Sequence, residues 1–363
     1  MASLRVGIIG ANVSGWAGRA HLPAMGAGIP GVELVAVATT REESAKESAA
    51  KYGARLAFAD YRELLASPEV DAVAVSVKLP AHHELTMAAI AAGKHVYTEW
   101  PLGTDTAQAV EMAAAAKARG VRTAVGLQSR SSSEYQAMAR AIAGGYVGTP
   151  RVVTVGVNAP GPLGRSAGRL WMADAKAGAN PLTITFGHLL DGLQAAAGPI
   201  ASIAGAVVET KAPTVTNPET GATLPVSAPD TVAITGVMAS GATLVAQLSS
   251  AVGVGAGFRL QVHGSEGVLT LEGAQGLSTN EGRLTGQRVG MKAPEELDIE
   301  QASWVGEGGL SGPPVNVGKT WERFAAAIAA DKPFSPSFDD AVRHHQLIDA
   351  IRAAAQHAPT RIG

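Results

Sequence analysis

From Arg5 to Gly126, short runs of apolar residues alternate with longer segments in which alanine and other apolar residues return every three or four positions. The runs predict strands over Arg5–Ile9, Glu33–Ala38, Ala72–Val77, His95–Tyr97 and Arg122–Gly126. The segments between them predict helices around Ala20–Met25, Glu42–Tyr52, Tyr61–Ala66, His82–Ala92 and Thr106–Arg119. Ala92-Gly93 and Arg119-Gly120 supply helix stops. Strand–helix alternation implies right-handed crossovers and a parallel sheet.

After Gln128 the rhythm changes. One more helix, Glu134–Ala143, leads to apolar runs over Arg151–Val157, Ile200–Val208, Thr231–Met238, Ala242–Ser249, Arg259–His263 and Val268–Leu271. Ser240-Gly241 reads as the turn of one hairpin and Gly264-Ser265-Glu266-Gly267 as that of another. Strands in succession predict an antiparallel sheet. Two helices, near Lys319–Ala330 and Phe338–Gln356, close the chain. The expected organisation is an α/β Rossmann domain over 1–128 and an α+β domain over 129–363, with the final helices able to pack back on the first. The glycine- and proline-rich connection 159–180 carries Arg165, Arg169 and Trp171, either a lid over substrate or solvated loop residues.

Composition narrows the function classes. The 363 residues are 46% hydrophobic, enough for two cores without staples, and include no cysteine, so disulfides, zinc–thiolate sites and thiol nucleophiles are excluded. A net charge of −2 gives no global field to attract nucleic acid directly. No apolar stretch reaches the length of a membrane span, and Gly10 cuts the first apolar run too short for a signal peptide, so a cytoplasmic protein is expected. The histidines and carboxylates show no metal-ligand spacing, and no metal is expected; His344-His345 lies in the last helix.

The candidate chemistry starts at Gly10-Ala11-Asn12-Val13-Ser14-Gly15, which follows a strand and precedes a helix. Its spacing matches G-x-G-x-x-G with Asn12 at the middle glycine. Gly10 suits the tight turn and Gly15 the close strand–helix packing, while Asn12 tolerates left-handed backbone. A plain tight turn is the other reading. The second strand ends in Thr39-Thr40-Arg41, with no carboxylate for a ribose 2′-hydroxyl. A hydroxyl and a guanidinium suit a 2′-phosphate, so NADP(H) is preferred and NAD(H) remains open. Thr40 as a helix N-cap with Arg41 solvated is the alternative.

Further blocks, Ala91-Ala92-Gly93-Lys94-His95-Val96, Glu99-Trp100-Pro101-Leu102, Gly126-Leu127-Gln128-Ser129-Arg130 and Gly187-His188-Leu189-Leu190-Asp191, make nearly the whole chain resemble the glucose–fructose oxidoreductase/inositol dehydrogenase (Gfo/Idh/MocA) family. The resemblance implies a Rossmann domain and a second domain with an open, mostly antiparallel sheet. Members often pair through that sheet, so a homo-oligomer, dimer or tetramer, is expected. It implies a nicotinamide cofactor and a small polyhydroxylated substrate: a sugar, sugar derivative or cyclitol. It places Leu79, His82, Glu99, Trp100, Pro101 and Gln128 near the cofactor, with a possible cis peptide before Pro101.

Two departures stand out. The family's E-K-P is Glu99-Trp100-Pro101, and its D-x-x-x-H is Ile184-Thr185-Phe186-Gly187-His188. The same departures are similar to a branch typified by the fungal galactose-regulon co-repressor, which works as a nucleotide-responsive regulator. Hydride transfer from a carbinol needs a group to take the hydroxyl proton, and an indole only donates. His188 is the remaining acid/base candidate, oriented by Asp191 one helical turn later, with Lys78 at a strand end in reserve. Trp100, Arg130, Thr185, His188 and Asp191 are the candidate substrate contacts. Trp100 as core filler, Arg130 as a hinge salt bridge, and His82 and His188 as capping or packing residues are the alternatives. Two functions therefore stay open: an NAD(P)-dependent oxidoreductase, or a non-catalytic nucleotide sensor and co-regulator.

Overall fold

The computed structural model describes residues 3–160, 167–273, 282–300, 305 and 309–357. In chain order the elements are β1 (Leu4–Ile9), α1 (Trp16–Arg19), α2 (His21–Gly26), β2 (Val32–Ala38), α3 (Glu42–Tyr52), β3 (Leu56–Phe58), α4 (Tyr61–Ala66), β4 (Ala72–Val75), α5 (His82–Ala91), β5 (His95–Thr98), α6 (Thr106–Arg119) and β6 (Thr123–Val125). There follow α7 (Ser133–Ala143), β7 (Pro150–Pro160), α8 (Gly187–Ala197), β8 (Ile200–Glu209), β9 (Thr214–Thr216), β10 (Thr223–Pro225), β11 (Thr231–Met238), β12 (Thr243–Val252), β13 (Gly257–Gly264), β14 (Gly267–Gly273), β15 (Arg283–Arg288) and β16 (Glu295–Glu296). The last two helices are α9 (Pro313–Ala329) and α10 (Phe338–Ala354).

The chain divides into two compact units. The first comprises Met1–Ser131, Ser278–Asn280 and Gln301–Arg343, and the second Ser132–Leu277, Glu281–Glu300 and His344–Gly363. In the first unit six strands pair in parallel in the order β3-β2-β1-β4-β5-β6. That is the order of a doubly wound dinucleotide fold, with its topological switch between β1 and β4. Both faces of the sheet are buried. One packs against α2, α9 and part of α3, the other against α4, α5 and α6. β4, and β1 beyond Arg5, accordingly read as apolar runs, as strands covered on both faces do.

The predicted helix near Ala20–Met25 is α2; the short α1 precedes it and does not join it, the chain breaking at Ala20 (φ −132°, ψ −69°). The cause is Pro23, whose ring would strike the Arg19 carbonyl four residues back in a continuous helix. The sequence pattern also passes over β3, three residues long, and β15, whose Arg-Leu-Thr-Gly-Gln-Arg is held by pairing with β14.

The second unit is built on an eight-stranded sheet, β16-β15-β14-β13-β7-β12-β11-β8, antiparallel except where β7 and β12 run parallel. Both predicted hairpins, β11–β12 and β13–β14, are present. α7 and α8 pack against one another and cover one face, burying Leu189, Leu190 and Leu193 against Val153, Val155 and Leu244. The other face of the central strands alternates outward as Val152, Thr154, Gly156 and Asn158 on β7 and Thr243, Val245, Gln247 and Ser249 on β12. Within the 159–180 connection a 3-10 helix over Ala167–Ala173 carries exposed Arg169 and half-buried Trp171, and a second spans Ala175–Ala177. Arg165 lies outside the described residues. None of the described helices is long and apolar enough to cross a membrane.

Candidate functional site

The glycine loop leaves the carboxyl end of β1 and turns at Gly10, whose φ of +83° only glycine adopts freely. A Cβ there would lie 2.3 Å from the Ser76 carbonyl oxygen, so side chains are excluded on contact grounds as well. Gly10 and Ala11 amides donate to Ala38 O, and the buried Ser48 hydroxyl donates to Ala11 O, tying the loop to β2 and α3.

Asn12 keeps the turn by another route than a left-handed backbone, since its φ is not positive. Its Oδ1 accepts from the Ser14 amide at 2.9 Å and the Ser14 hydroxyl at 2.7 Å, an Asx turn that preshapes Val13-Ser14-Gly15. Gly15 has an ordinary φ of −82°. The close approach predicted for it belongs to Gly18, where a Cβ would meet Val13 O at 2.0 Å.

At the end of β2 the predicted cap is displaced by one residue. Arg41, not Thr40, is the N-cap of α3, and it makes no side-chain cap bond. The Thr39 hydroxyl instead donates to Arg41 O at 2.7 Å and contacts the Ser44 hydroxyl. Thr39 therefore shapes this turn, while Thr40 and Arg41 are exposed beyond the strand end.

The β5 end is a buried polar relay. Glu99, 7% exposed, contacts His21 Nε2 through Oε1 at 2.7 Å and accepts from Gln128 Nε2 through Oε2 at 3.0 Å. His21 Nδ1 lies 3.0 Å from Trp321 Nε1. An indole N–H only donates, so Nδ1 accepts and the His21 proton sits on Nε2, pointing at Glu99. His21 and Trp321 carry no sequence signal for this role, being a histidine on an apolar helix and a tryptophan three hundred positions away.

Trp100 follows in a cis peptide with Pro101, as the resemblance allowed. Its side chain is 5% exposed and joins the apolar cluster of Leu102, Leu127 and Val75. The His82 ring lies between two carbonyl oxygens, Pro101 O at 2.8 Å from Nδ1 and Val77 O at 3.2 Å from Nε2. Burial pushes its imidazole below the ordinary value, against the raising effect of those carbonyls. A neutral ring donates to only one of the two. His82 thus clamps the Trp100-Pro101 segment, and Glu84 pairs with Tyr61 rather than with it. Leu79 is buried in a short 3-10 turn, and Lys78 is exposed beside it. The Arg130 guanidinium contacts Ser335 Oγ at 3.0 Å and Asp340 Oδ1 at 3.3 Å, the salt-bridge alternative to substrate contact.

In the second unit Leu182–Phe186 forms a π-helical turn that runs directly into α8, a local irregularity common at functional sites. Thr185 and His188 are half-buried on the accessible side, and Asp191 is fully buried one turn on. His344 Nε2 lies 2.8 Å from Gly187 O, holding the carbonyl that precedes His188. Tyr135 packs on Gly192, and burial, reinforced by the Asp191 charge, raises its hydroxyl well above the ordinary phenol value, so it stays protonated. Among the described residues no cluster of three or more His, Asp or Glu side chains is arranged to hold a metal.

The residues fit a dinucleotide. The strand order supplies the crevice at the carboxyl ends, Gly10 admits close approach of its backbone, and the Ser76 hydroxyl beside it is buried without a hydrogen-bond partner among the described residues.

Known proteins agree. Residues 4–127 match the model of an oxidoreductase family with an NAD-binding Rossmann fold, and residues 137–273 match that of the Gal80p C-terminal domain. The dehydrogenase aclE of Aspergillus oryzae is 36% identical over 163 residues, and that match spans under half of either chain, 44% of each. Inositol 2-dehydrogenase of Acidothermus cellulolyticus is 27% identical over 91% of both chains. The solved structure of an NAD-binding oxidoreductase from Klebsiella pneumoniae superposes with a TM-score of 0.83 at 28% identity, covering 98% of this chain and 97% of that one. The glycine turn, the strand order and these two matched halves together fit the Gfo/Idh/MocA family, with a Gal80p-like second half.

Proposed function

We propose that this chain is an NAD(P)-dependent oxidoreductase acting on a hydroxyl or carbonyl of a sugar, sugar derivative or cyclitol. The observation that carries the reading is the Gly10 turn at the switch point of a sheet ordered β3-β2-β1-β4-β5-β6. When bound, the nicotinamide accepts or delivers the hydride. The protein's own groups do the rest. Asn12, with Oδ1 committed to Ser14, has Nδ2 left to donate to phosphate oxygens. The Glu99–His21–Trp321 relay and His82 hold the β5 end rigid. His188 takes the hydroxyl proton as the C–H bond breaks, and returns it in the reverse direction. Thr185 and Asp191 position substrate and imidazole. Incubation with NAD+ or NADP+ and a panel of hexoses, anhydrosugars and inositols, followed at the reduced-nicotinamide absorbance, tests this. Absence of turnover together with tight nucleotide binding would favour a sensor and co-regulator, a reading supported by Trp100 filling core space at the E-x-P position and by the Gal80p-like second half.

The cofactor preference is for NADP(H), because Thr40 and Arg41 stand exposed at the β2 end without a carboxylate among Thr39, Thr40 and Arg41. Arg41→Ala is expected to weaken NADPH about tenfold, the worth of one charge-assisted contact, and to leave NADH unchanged. Equal affinity of the wild type for both nucleotides would rule the preference out.

The working form is a homo-oligomer joined through the outer face of the eight-stranded sheet. In its central strands that face exposes Val152, Val207, Val237 and Val245 among threonines, serine and glutamine, with Arg259 and Glu272 paired on the strands beside them, a surface suited to a second copy. Val245→Glu should convert the assembly to monomers in sedimentation or light scattering. An unchanged mass would put the interface elsewhere.

A further inference from the structure

Helix α9 has a defined direction against the first unit's sheet. The Thr320 and Ser131 hydroxyls share a hydrogen bond at 2.9 Å, and Ser131 follows the carboxyl end of β6. Asp331, just past the helix, pairs with Arg122, which precedes the first residue of β6. The helix therefore runs antiparallel to the strands, starting at their carboxyl ends. Trp321 reaches His21 and through it Glu99, and its ring lies 4.9 Å from that of Tyr97 on β5, so the middle of α9 covers β5.

Asn316 lies one turn before Thr320, farther toward the carboxyl-end side, where ligands of open α/β sheets bind. Its backbone is fixed, since its carbonyl accepts from Thr320 Oγ1 at 2.8 Å. Its side chain is 1% exposed, yet neither Oδ1 nor Nδ2 has a hydrogen-bond partner among the described residues. Burying a carboxamide in that state is costly, and nothing in the apolar packing of Val315 and Val317 around it calls for an amide. Two further buried atoms without a partner among the described residues sit on the same side: Ser76 Oγ, just after β4, and Trp16 Nε1, just after the glycine loop.

In a doubly wound fold the glycine turn and the β2 end take the adenosine half of a dinucleotide, which leaves the β4–β6 half for the nicotinamide mononucleotide. We propose that the Asn316 carboxamide is a binding group for the nicotinamide–ribose half, donating through Nδ2 and accepting through Oδ1. A ribose diol or the nicotinamide carboxamide supplies the matching acceptor and donor. The inference rests on the dinucleotide reading given above and adds a residue that carries no motif.

Calorimetry of the full-length wild type, Asn316→Ala and Asn316→Asp with NADH, NADPH, ADP-ribose and ADP tests it, alongside melting of each protein freed of nucleotide. Asn316→Ala should weaken the dinucleotide at least about tenfold and leave ADP unchanged. Without nucleotide it should melt no lower than wild type, because an unmatched polar group has been removed. Asn316→Asp, which loses the Nδ2 donor and buries a carboxylate, should lose at least as much. Weakened ADP-ribose assigns the contact to the ribose, and unchanged ADP-ribose assigns it to the carboxamide; both support the proposal. Wild-type affinity for the dinucleotide in Asn316→Ala would overturn it. So would an equal loss of ADP affinity, or a lower melting temperature without nucleotide, since a group that only braces the fold gives those results. Failure of the wild type to bind any dinucleotide would instead overturn the cofactor reading beneath it.

Discussion

Replacing His188 by alanine is expected to lower turnover by roughly 10²–10⁴-fold, the usual contribution of a positioned acid/base, with nucleotide affinity unchanged. The size of the effect follows from how few groups remain for the proton. Trp100 stands where the family has lysine, and its indole N–H cannot accept. Ile184 stands where the family has aspartate. Of the polar groups at this turn, Thr185 does not titrate near neutrality and Asp191 is fully buried. The histidine is also well placed by its surroundings: it follows a π-helical turn, and His344 fixes the carbonyl of the residue before it. Asp191→Asn should cost less than loss of the imidazole, because it perturbs orientation and leaves the base. Initial rates with saturating cofactor on the best substrate of the panel provide the measurement. Full turnover in His188→Ala would remove the histidine from the mechanism and bring exposed Lys78 forward, where Lys78→Ala is otherwise expected to change little.

Glu99→Ala is expected to destabilise the protein by about 3 kcal/mol, from loss of hydrogen bonds to a buried carboxylate and the donors left unmet. The tautomer argument sets the outcome. With Trp321 donating to Nδ1, the His21 proton on Nε2 has Glu99 as its acceptor, and Gln128 Nε2 donates to the same carboxylate. Alanine leaves both donors buried. Glu99→Gln should be milder, since its oxygen still accepts from His21 while Gln128 turns its own oxygen toward the new amide. Denaturant unfolding, compared at unchanged m-value, reads the difference. A midpoint for Glu99→Ala within error of wild type would show that the relay adds nothing to stability.

Much of the architecture was readable because its causes are local. Alternating apolar runs and alanine-rich helical segments announce a parallel sheet. The boundaries of α3, α4 and α6 follow from their own apolar spacing and end residues, Asp60 and Asp105 capping α4 and α6 through their side chains. The two hairpins follow from alternation around Gly241 and around Gly264–Gly267. Pro23 already contains the reason that the helix after the glycine loop breaks, although its effect shows only once the Arg19 carbonyl is placed. α8 has weak local preference, with Gly187 and Gly192 in it, and is helical because Leu189, Leu190 and Leu193 have a sheet to pack on. β15 is a strand because β14 offers it a ladder.

The candidate site divides along the same line. Gly10 could be assigned from its neighbours in the chain, because a turn after a strand and before a helix admits few residues. The family blocks marked Glu99, Trp100, Gln128 and His188 as positions of interest. Their partners were another matter. His21 and Trp321 meet Glu99 from opposite ends of the chain, Thr39 turns inward to shape a loop while Arg41 faces out, and Asn316 acquires meaning only from the direction of α9. Hydrogen bonds and burial depend on which groups folding brings within about 3 Å of each other. No periodicity in a linear order of residues encodes that for pairs hundreds of positions apart. Local pattern therefore specified the elements and the nucleotide turn, and long-range packing chose which polar side chains are spent inside the protein and which are left to meet a ligand.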